Sequence, residues 1–181
     1  MKKLLLTFAI ALFGVSAHAG DIKPVIGIDY VYSDVGLKNG WEYVAEDKYS
    51  SINLTGGVKI GKYFGVEAFF QHSNEQDGLS TPYGSLKTQF YGVGADMIGY
   101  LPIHEKVNVL GALGLGHYDV TAKFLGVEDS ENGLGMRLGT GIQYDLTKNV
   151  ALRSMVRYVK LNSFDSMDDM MEVTAGIRFS F

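Results

Sequence analysis

The sequence predicts an all-β protein, an eight-stranded antiparallel up-and-down transmembrane β-barrel. Three observations predict it. Apolar and polar residues alternate with period two through most of the chain, in eight segments of about ten or more residues, the length a tilted strand needs to cross a bilayer. The connections between segments alternate short and long, as they do when both termini lie on the short-turn side of a barrel. The polar faces together carry acids and bases in nearly equal number, which a closed interior requires.

Composition agrees. Among 181 residues there are 23 Gly, 11 Tyr and 10 Phe, with only 3 Pro. Glycine and aromatics without proline suit long strands. The chain has no cysteine, so it carries no disulfide framework, thiolate zinc site or thiol nucleophile. A net charge of −4 offers no electrostatic footprint for nucleic acid.

Residues 1–19 read as a cleaved signal peptide. Met1-Lys2-Lys3 is basic, Leu4 to Val15 is apolar, and Ala17 and Ala19 fit a small-residue cleavage site. The apolar run is about a dozen residues, short of the ~20 a spanning helix needs. Removing the segment takes away two lysines and leaves a mature net charge of −6. Residues 20–181 form the barrel domain, exported from the cytoplasm.

The first segment, 24–33, sets Gly27 and Asp29 on one face and Tyr30 and Tyr32 on the other. In the second, 49–60, Ile52, Leu54, Val58 and Ile60 oppose Gly57 and Lys59. The third, 64–73, opposes Glu67 to Phe64 and Phe70, and the fourth, 87–101, opposes Gly92, Gly94 and Asp96 to Tyr91. The fifth, 107–118, places Gly114 and Gly116 on the inner parity. In the sixth, 133–145, Leu134, Met136, Leu138, Ile142 and Tyr144 oppose Arg137, Gln143 and Asp145. The seventh, 150–161, opposes Arg153 and Arg157 to Tyr158. The eighth, 170–181, is the clearest: Met171, Val173, Ala175, Ile177, Phe179 and Phe181 alternate with Glu172, Thr174, Gly176, Arg178 and Ser180.

A soluble sandwich also alternates, so the polar face decides between them. Asp29, Lys59, Glu67, Asp96, Arg137, Arg153, Arg157, Glu172 and Arg178 share it. A sandwich would leave these charges in water with no need for balance. A narrow barrel must pair them, and ion pairs are expected from Glu67, Glu172 or Asp96 to the arginines. Inner-parity glycines make room for the long side chains or mark strand bends. Aromatics on the apolar face near strand ends fit girdles at the lipid interfaces.

The layout resembles the small eight-stranded outer-membrane barrels of Gram-negative bacteria, a group that includes the OmpA transmembrane domain, the opacity proteins and OmpX-like proteins. Gly141 to Arg153 looks like the sixth strand, turn and seventh strand of that group. Glu172 to Phe181 looks like its terminal strand. The resemblance implies residence in the outer membrane among lipid and lipopolysaccharide, with periplasmic chaperones and the barrel-assembly machinery as partners in biogenesis. It implies Phe179 and Phe181 as the assembly signal. The peptidoglycan-binding domain that follows the OmpA barrel is not expected here, so wall tethering is not carried over.

No catalytic constellation, metal cluster or cofactor site is expected. His72 and Ser73 are neighbours in a strand and point to opposite faces, which separates them from the same-face Ser and His of a lipid A-modifying barrel. His72 is expected at the rim with Ser73-Asn74 opening a loop, His117 at the rim, and His104 in a solvated turn. The long connections, at about 34–48, 74–86, 119–132 and 162–169, hold thirteen acids, with Lys38, Lys48, Lys87 and Lys123 in or beside them. They read as solvated, repelling surfaces, or as sites for divalent cations or a basic partner. Trp41 lies in the first of them and is a candidate contact for an extracellular ligand. The expected function is non-enzymatic, a barrel that anchors surface loops for envelope integrity or adhesion. The alternatives are a narrow solute pore and, behind it, a lipid A-modifying enzyme.

Overall fold

A strand with one apolar and one polar face can bury the polar face in a membrane only by closing on itself, since lipid satisfies no free backbone N–H or C=O. The chain does this. A computed structural model describes residues 22–37, 48–74, 76–81, 84–124, 127–162 and 167–181. Its strands are β1 (Ile22–Leu37), β2 (Lys48–Ile60), β3 (Phe64–Ser73), β4 (Gln76–Thr81), β5 (Gly84–His104), β6 (Val107–Phe124), β7 (Val127–Asp145), β8 (Val150–Asn162) and β9 (Met167–Ser180). Every pairing is antiparallel. β1 pairs β9, and β3 pairs β5 from Phe64↔Gly99 to His72↔Tyr91, so the sheet closes into an eight-stranded barrel. β4 is a ninth, short strand that pairs only with the far end of β5.

Three short turns join strands at one end. Gly61, with φ of +61°, supplies the left-handed residue of the β2–β3 turn, a conformation cheap only without a Cβ. Glu105-Lys106 turns β5 into β6, so His104 ends a strand where the spacing predicts a turn. In the turn between β7 and β8, the Thr147 hydroxyl accepts from Asn149 N and Val150 N. The start of β1 and the end of β9 meet here: Phe181 N donates to Pro24 O at 3.0 Å. Short turns mark the periplasmic end in outer-membrane barrels.

The opposite end differs from the loops expected there. The β6–β7 ladder continues unbroken to Phe124↔Val127, through most of the stretch predicted as a loop at 119–132. The stretch 74–86 likewise holds β4 and its pairing to β5. Once two strands are paired above the membrane, continuing the ladder satisfies backbone groups at no extra loop-closure cost. Polarity alone did not distinguish a solvated strand from a loop.

Outward-facing side chains form an exposed apolar band that includes Ile28, Leu54, Val93, Met97, Leu113, Leu138, Val156 and Val173. Tyr30, Tyr32, Phe70, Tyr91 and Tyr158 border it toward the outer end, and Phe64, Tyr144, Phe179 and Phe181 toward the periplasmic end. That is the arrangement of a lipid-facing belt between two aromatic girdles.

Candidate functional site

The interior is organised in three levels, of which the middle one is ionic. All but one of the charged side chains there face a glycine on a neighbouring strand: Glu67 faces Gly57, Asp96 and Arg137 both face Gly114, Arg157 faces Gly139, Arg178 faces Gly27, and Asp29 and Arg153 both face Gly176, whereas Glu172 faces Ser33 and Arg157. The glycines leave the space these side chains occupy. A Cβ on Gly139 would lie 2.7 Å from Arg157 Cγ, and one on Gly27 would lie 2.6 Å from Arg178 Nη1.

The charges divide into two linked groups. Nearer the periplasm, Arg178 donates to both Asp29 oxygens at 2.6 and 3.0 Å, a bidentate pair, and its Nε lies 3.5 Å from Glu67. Arg153 Nη1 donates to both Glu67 oxygens at 2.9 Å. Its other nitrogens reach Gln143 Oε1 and the Tyr100 hydroxyl. Asn53 donates to Asp29 at 3.0 Å. Toward the outer end, Arg137 donates to Glu172 at 3.2 Å and lies 3.7 Å from Asp96. Arg157 lies 3.6 Å from Asp96. Gln71 donates to the other Glu172 oxygen at 2.9 Å. Glu67 and Asp96 are direct cross-strand partners, two acids side by side, and each is met by two arginines from β7, β8 or β9.

Of the nine charged residues predicted to face inward, Asp29, Glu67, Asp96, Arg137, Arg153, Arg157, Glu172 and Arg178 are therefore brought together and buried. Lys59 stands apart. It is half-buried near the periplasmic end, with Nζ 4.3 Å above the Tyr100 ring. The buried set is four carboxylates and four guanidiniums, formally neutral. A buried charge without a partner costs several kcal/mol, and neutrality inside one connected network avoids that.

The outer level corrects the expectation of a polar interior. Val35, Tyr49, Phe69, Phe90, Tyr118, Val159, Leu161, Met167 and Met170 pack together across the lumen. Tyr49 and Phe90 meet edge to face at 5.4 Å between ring centroids. The Arg137 guanidinium lies 3.7 Å from the centroid of the Phe69 ring and joins this plug to the ionic level. The missed signal lay in the inner-parity positions themselves, which turn apolar toward the outer ends of the strands.

The inner level is open. A cavity of about 490 Å³ enters from the periplasmic end, with Tyr100, Gln143, Arg153 and Arg178 among its lining residues. Ile98, Tyr100, Leu110, Ala112 and Met155 form a second apolar cluster on the inner wall.

His72 and Ser73 lie on opposite faces. His72 is exposed, 3.2 Å from Gln89, whereas Ser73 is buried inside β3 and accepts a hydrogen bond from Phe90 N at 2.8 Å. Ser73 thus ends a strand instead of opening a loop, because it still pairs with Ser51 on β2. His117 is exposed on the outer wall. Among the described residues no group of His, Asp and Glu is arranged to hold a metal ion. At the outer rim Lys160 pairs with Asp168 at 2.6 Å and the Tyr158 hydroxyl donates to Asp169. Trp41 lies outside the described residues, as do Glu42, Glu46, Asp47, Glu75 and Asp165.

Comparisons with known proteins agree with this architecture. The family model described as outer membrane protein beta-barrel domain matches residues 5–181. Neisserial surface protein A is 18% identical with a TM-score of 0.64, over 88% of this chain and 97% of that one. Ail, the attachment invasion locus protein of Yersinia pestis, is 20% identical with a TM-score of 0.64, over 89% and 99%. OprG of Pseudomonas aeruginosa is 14% identical with a TM-score of 0.53, over 91% and 97%. No curated protein matches the sequence.

Proposed function

The chain belongs to the outer-membrane β-barrel domain family and resides in the cell outer membrane, and from that premise we propose that it is a non-enzymatic anchor. Its filled barrel holds acid-rich hairpins at the cell surface for envelope integrity or adhesion. The observation that carries the reading is the lumen: a neutral ion-pair network lies under an apolar plug, and eight strands leave little space beyond what side chains fill. With the lumen closed at its middle and outer levels, contact with the cell's surroundings falls to the outer surface.

The opposed faces of His72 and Ser73 argue against the lipid-modifying alternative. Ser73→Ala is expected to leave lipid A unchanged. The outer connections hold thirteen acids, so a polyanion is a poor ligand for them. One structure of Ail is in complex with a heparin analogue, sucrose octasulfate. A ligand of that kind would be repelled here, and divalent cations or a basic surface would be favoured. Phe179 and Phe181 serve as the signal read by the barrel-assembly machinery, with periplasmic chaperones delivering the unfolded chain.

Planar-bilayer recording of the refolded chain, residues 20–181, tests the anchor reading. Bilayers that stay silent, with insertion confirmed by protease protection, are the expected result. Steady uniform channels would overturn the reading in favour of a narrow pore. Deletion of the gene, scored in parallel for detergent sensitivity and for attachment to host or abiotic surfaces, separates envelope integrity from adhesion.

A further inference from the structure

We propose that the periplasmic mouth of the barrel is a binding site for a small phosphate-bearing anion. The cavity there, about 490 Å³, falls in the range of small-molecule sites. Its wall and rim carry four lysines, Lys23, Lys59, Lys106 and Lys148, against two acids, Glu105 and Asp145. The two arginines at its floor are already met by Asp29 and Glu67 and add nothing to this count. The mouth therefore carries an excess of two positive charges. A phosphomonoester, at about −1.5 to −2 near neutral pH, matches it.

The lysines are free to serve a ligand. Among the described residues none of their ammonium groups forms an ion pair. Asp145, an acid of the cavity wall, has each oxygen engaged by a neutral amide, Asn108 at 3.1 Å and Gln143 at 2.8 Å. Lys59 is the decisive member. Rim lysines on any such barrel can reach inner-leaflet headgroups, but Lys59 sits on the inner parity of β2 with Nζ over the ring of buried Tyr100. Its charge points into the lumen, where lipid headgroups at the barrel perimeter do not neutralise it. Lys106 and Lys148 stand on the β5–β6 and β7–β8 turns beside the opening. An anion entering from the periplasm meets them first and Lys59 last.

The test uses the mature chain refolded in maltoside micelles, which contain no phosphate, with inorganic pyrophosphate as the probe. Binding is read from backbone amide shifts of Tyr100, Gln143 and Arg153 at 0.1 M salt. Saturable shifts at these residues are expected. Lys59→Gln combined with Lys106→Gln should weaken them at least about tenfold, while Lys160→Gln at the opposite rim leaves them unchanged. Should the first pair fail to fold, Lys106→Gln with Lys148→Gln, both on exposed turns, asks the same question. Repeating the titration in nanodiscs containing phosphatidylglycerol identifies the natural source. Shifts that persist there mean a soluble periplasmic phosphate compound, and shifts abolished by competition mean a phospholipid headgroup drawn into the mouth. Shifts that do not saturate, or that survive the lysine substitutions, would overturn the proposal.

Discussion

Glu67 shows what a single residue does in this barrel. Its carboxylate receives Arg153 through both oxygens, lies 3.5 Å from Arg178 and sits beside Asp96 on the next strand. Glu67→Ala leaves the Arg153 guanidinium buried with only Tyr100 and Gln143 as acceptors. The expected loss is about 3–5 kcal/mol, the cost of breaking a buried pair by removing one partner, measured as a lower urea midpoint in lipid vesicles. Replacing both members, Glu67→Gln with Arg153→Met, should recover a large part of it, because no charge is then stranded. Glu172→Ala should weaken the fold by a similar route, since Arg137 and Gln71 both donate to it. A Glu172→Ala barrel as heat-resistant as the parent would count against this role. At Gly139 the limit is space: Gly139→Leu drives a side chain into Arg157, and the loss of folded barrel on unheated gels would report it.

Single strands show a gradient set by the membrane. Leu113 on β6 lies mid-band, between Met97 on β5 and Leu138 on β7, all facing lipid. Leu113→Arg is expected to cost about 2–4 kcal/mol, and His117→Arg, two outward positions nearer the outer rim, about 0–1 kcal/mol. Equal costs at the two sites would mean that the belt is displaced from this register. At the terminal strand, truncation after Ser180 removes Phe181 and its hydrogen bond to Pro24. It should slow assembly in cells while refolding in vesicles proceeds, if Phe181 acts chiefly as a recognition signal. The strands also mark the limit of what pattern reading detects. Their alternation was plain wherever lipid faced one side. It faded along the start of β7, where Glu128-Asp129-Ser130-Glu131-Asn132 is polar at every position and a polar strand and a polar loop look alike.

For the whole molecule, the three interior levels differ in what they can do. The ionic middle and apolar outer level resist passage, while the inner level opens to the periplasm with an excess of positive charge. A silent barrel that nevertheless binds pyrophosphate from the periplasmic side is the combined expectation. Raised salt should weaken that binding, because the rim lysines are solvent-exposed. The same salt should leave the buried arginine pairs, and so the thermal stability, nearly unchanged.

Period-two patterning by itself determined which face of each strand meets lipid, and from that the eight-stranded barrel. Side-chain direction in a strand is a local property of the backbone, legible one residue at a time. The same parity placed the inward charges, because lipid tolerates none of them. Only the tertiary structure decided which charge meets which. Asp29 and Arg178 are 149 residues apart in sequence and become neighbours only when β9 closes against β1. Glu67 and Arg153 meet across the lumen, at a distance set by barrel radius and strand register. The apolar outer plug and the open lysine-rich mouth have the same origin. Both depend on the height at which each strand sits against its neighbours, a quantity that closure of the whole sheet sets and no single strand contains.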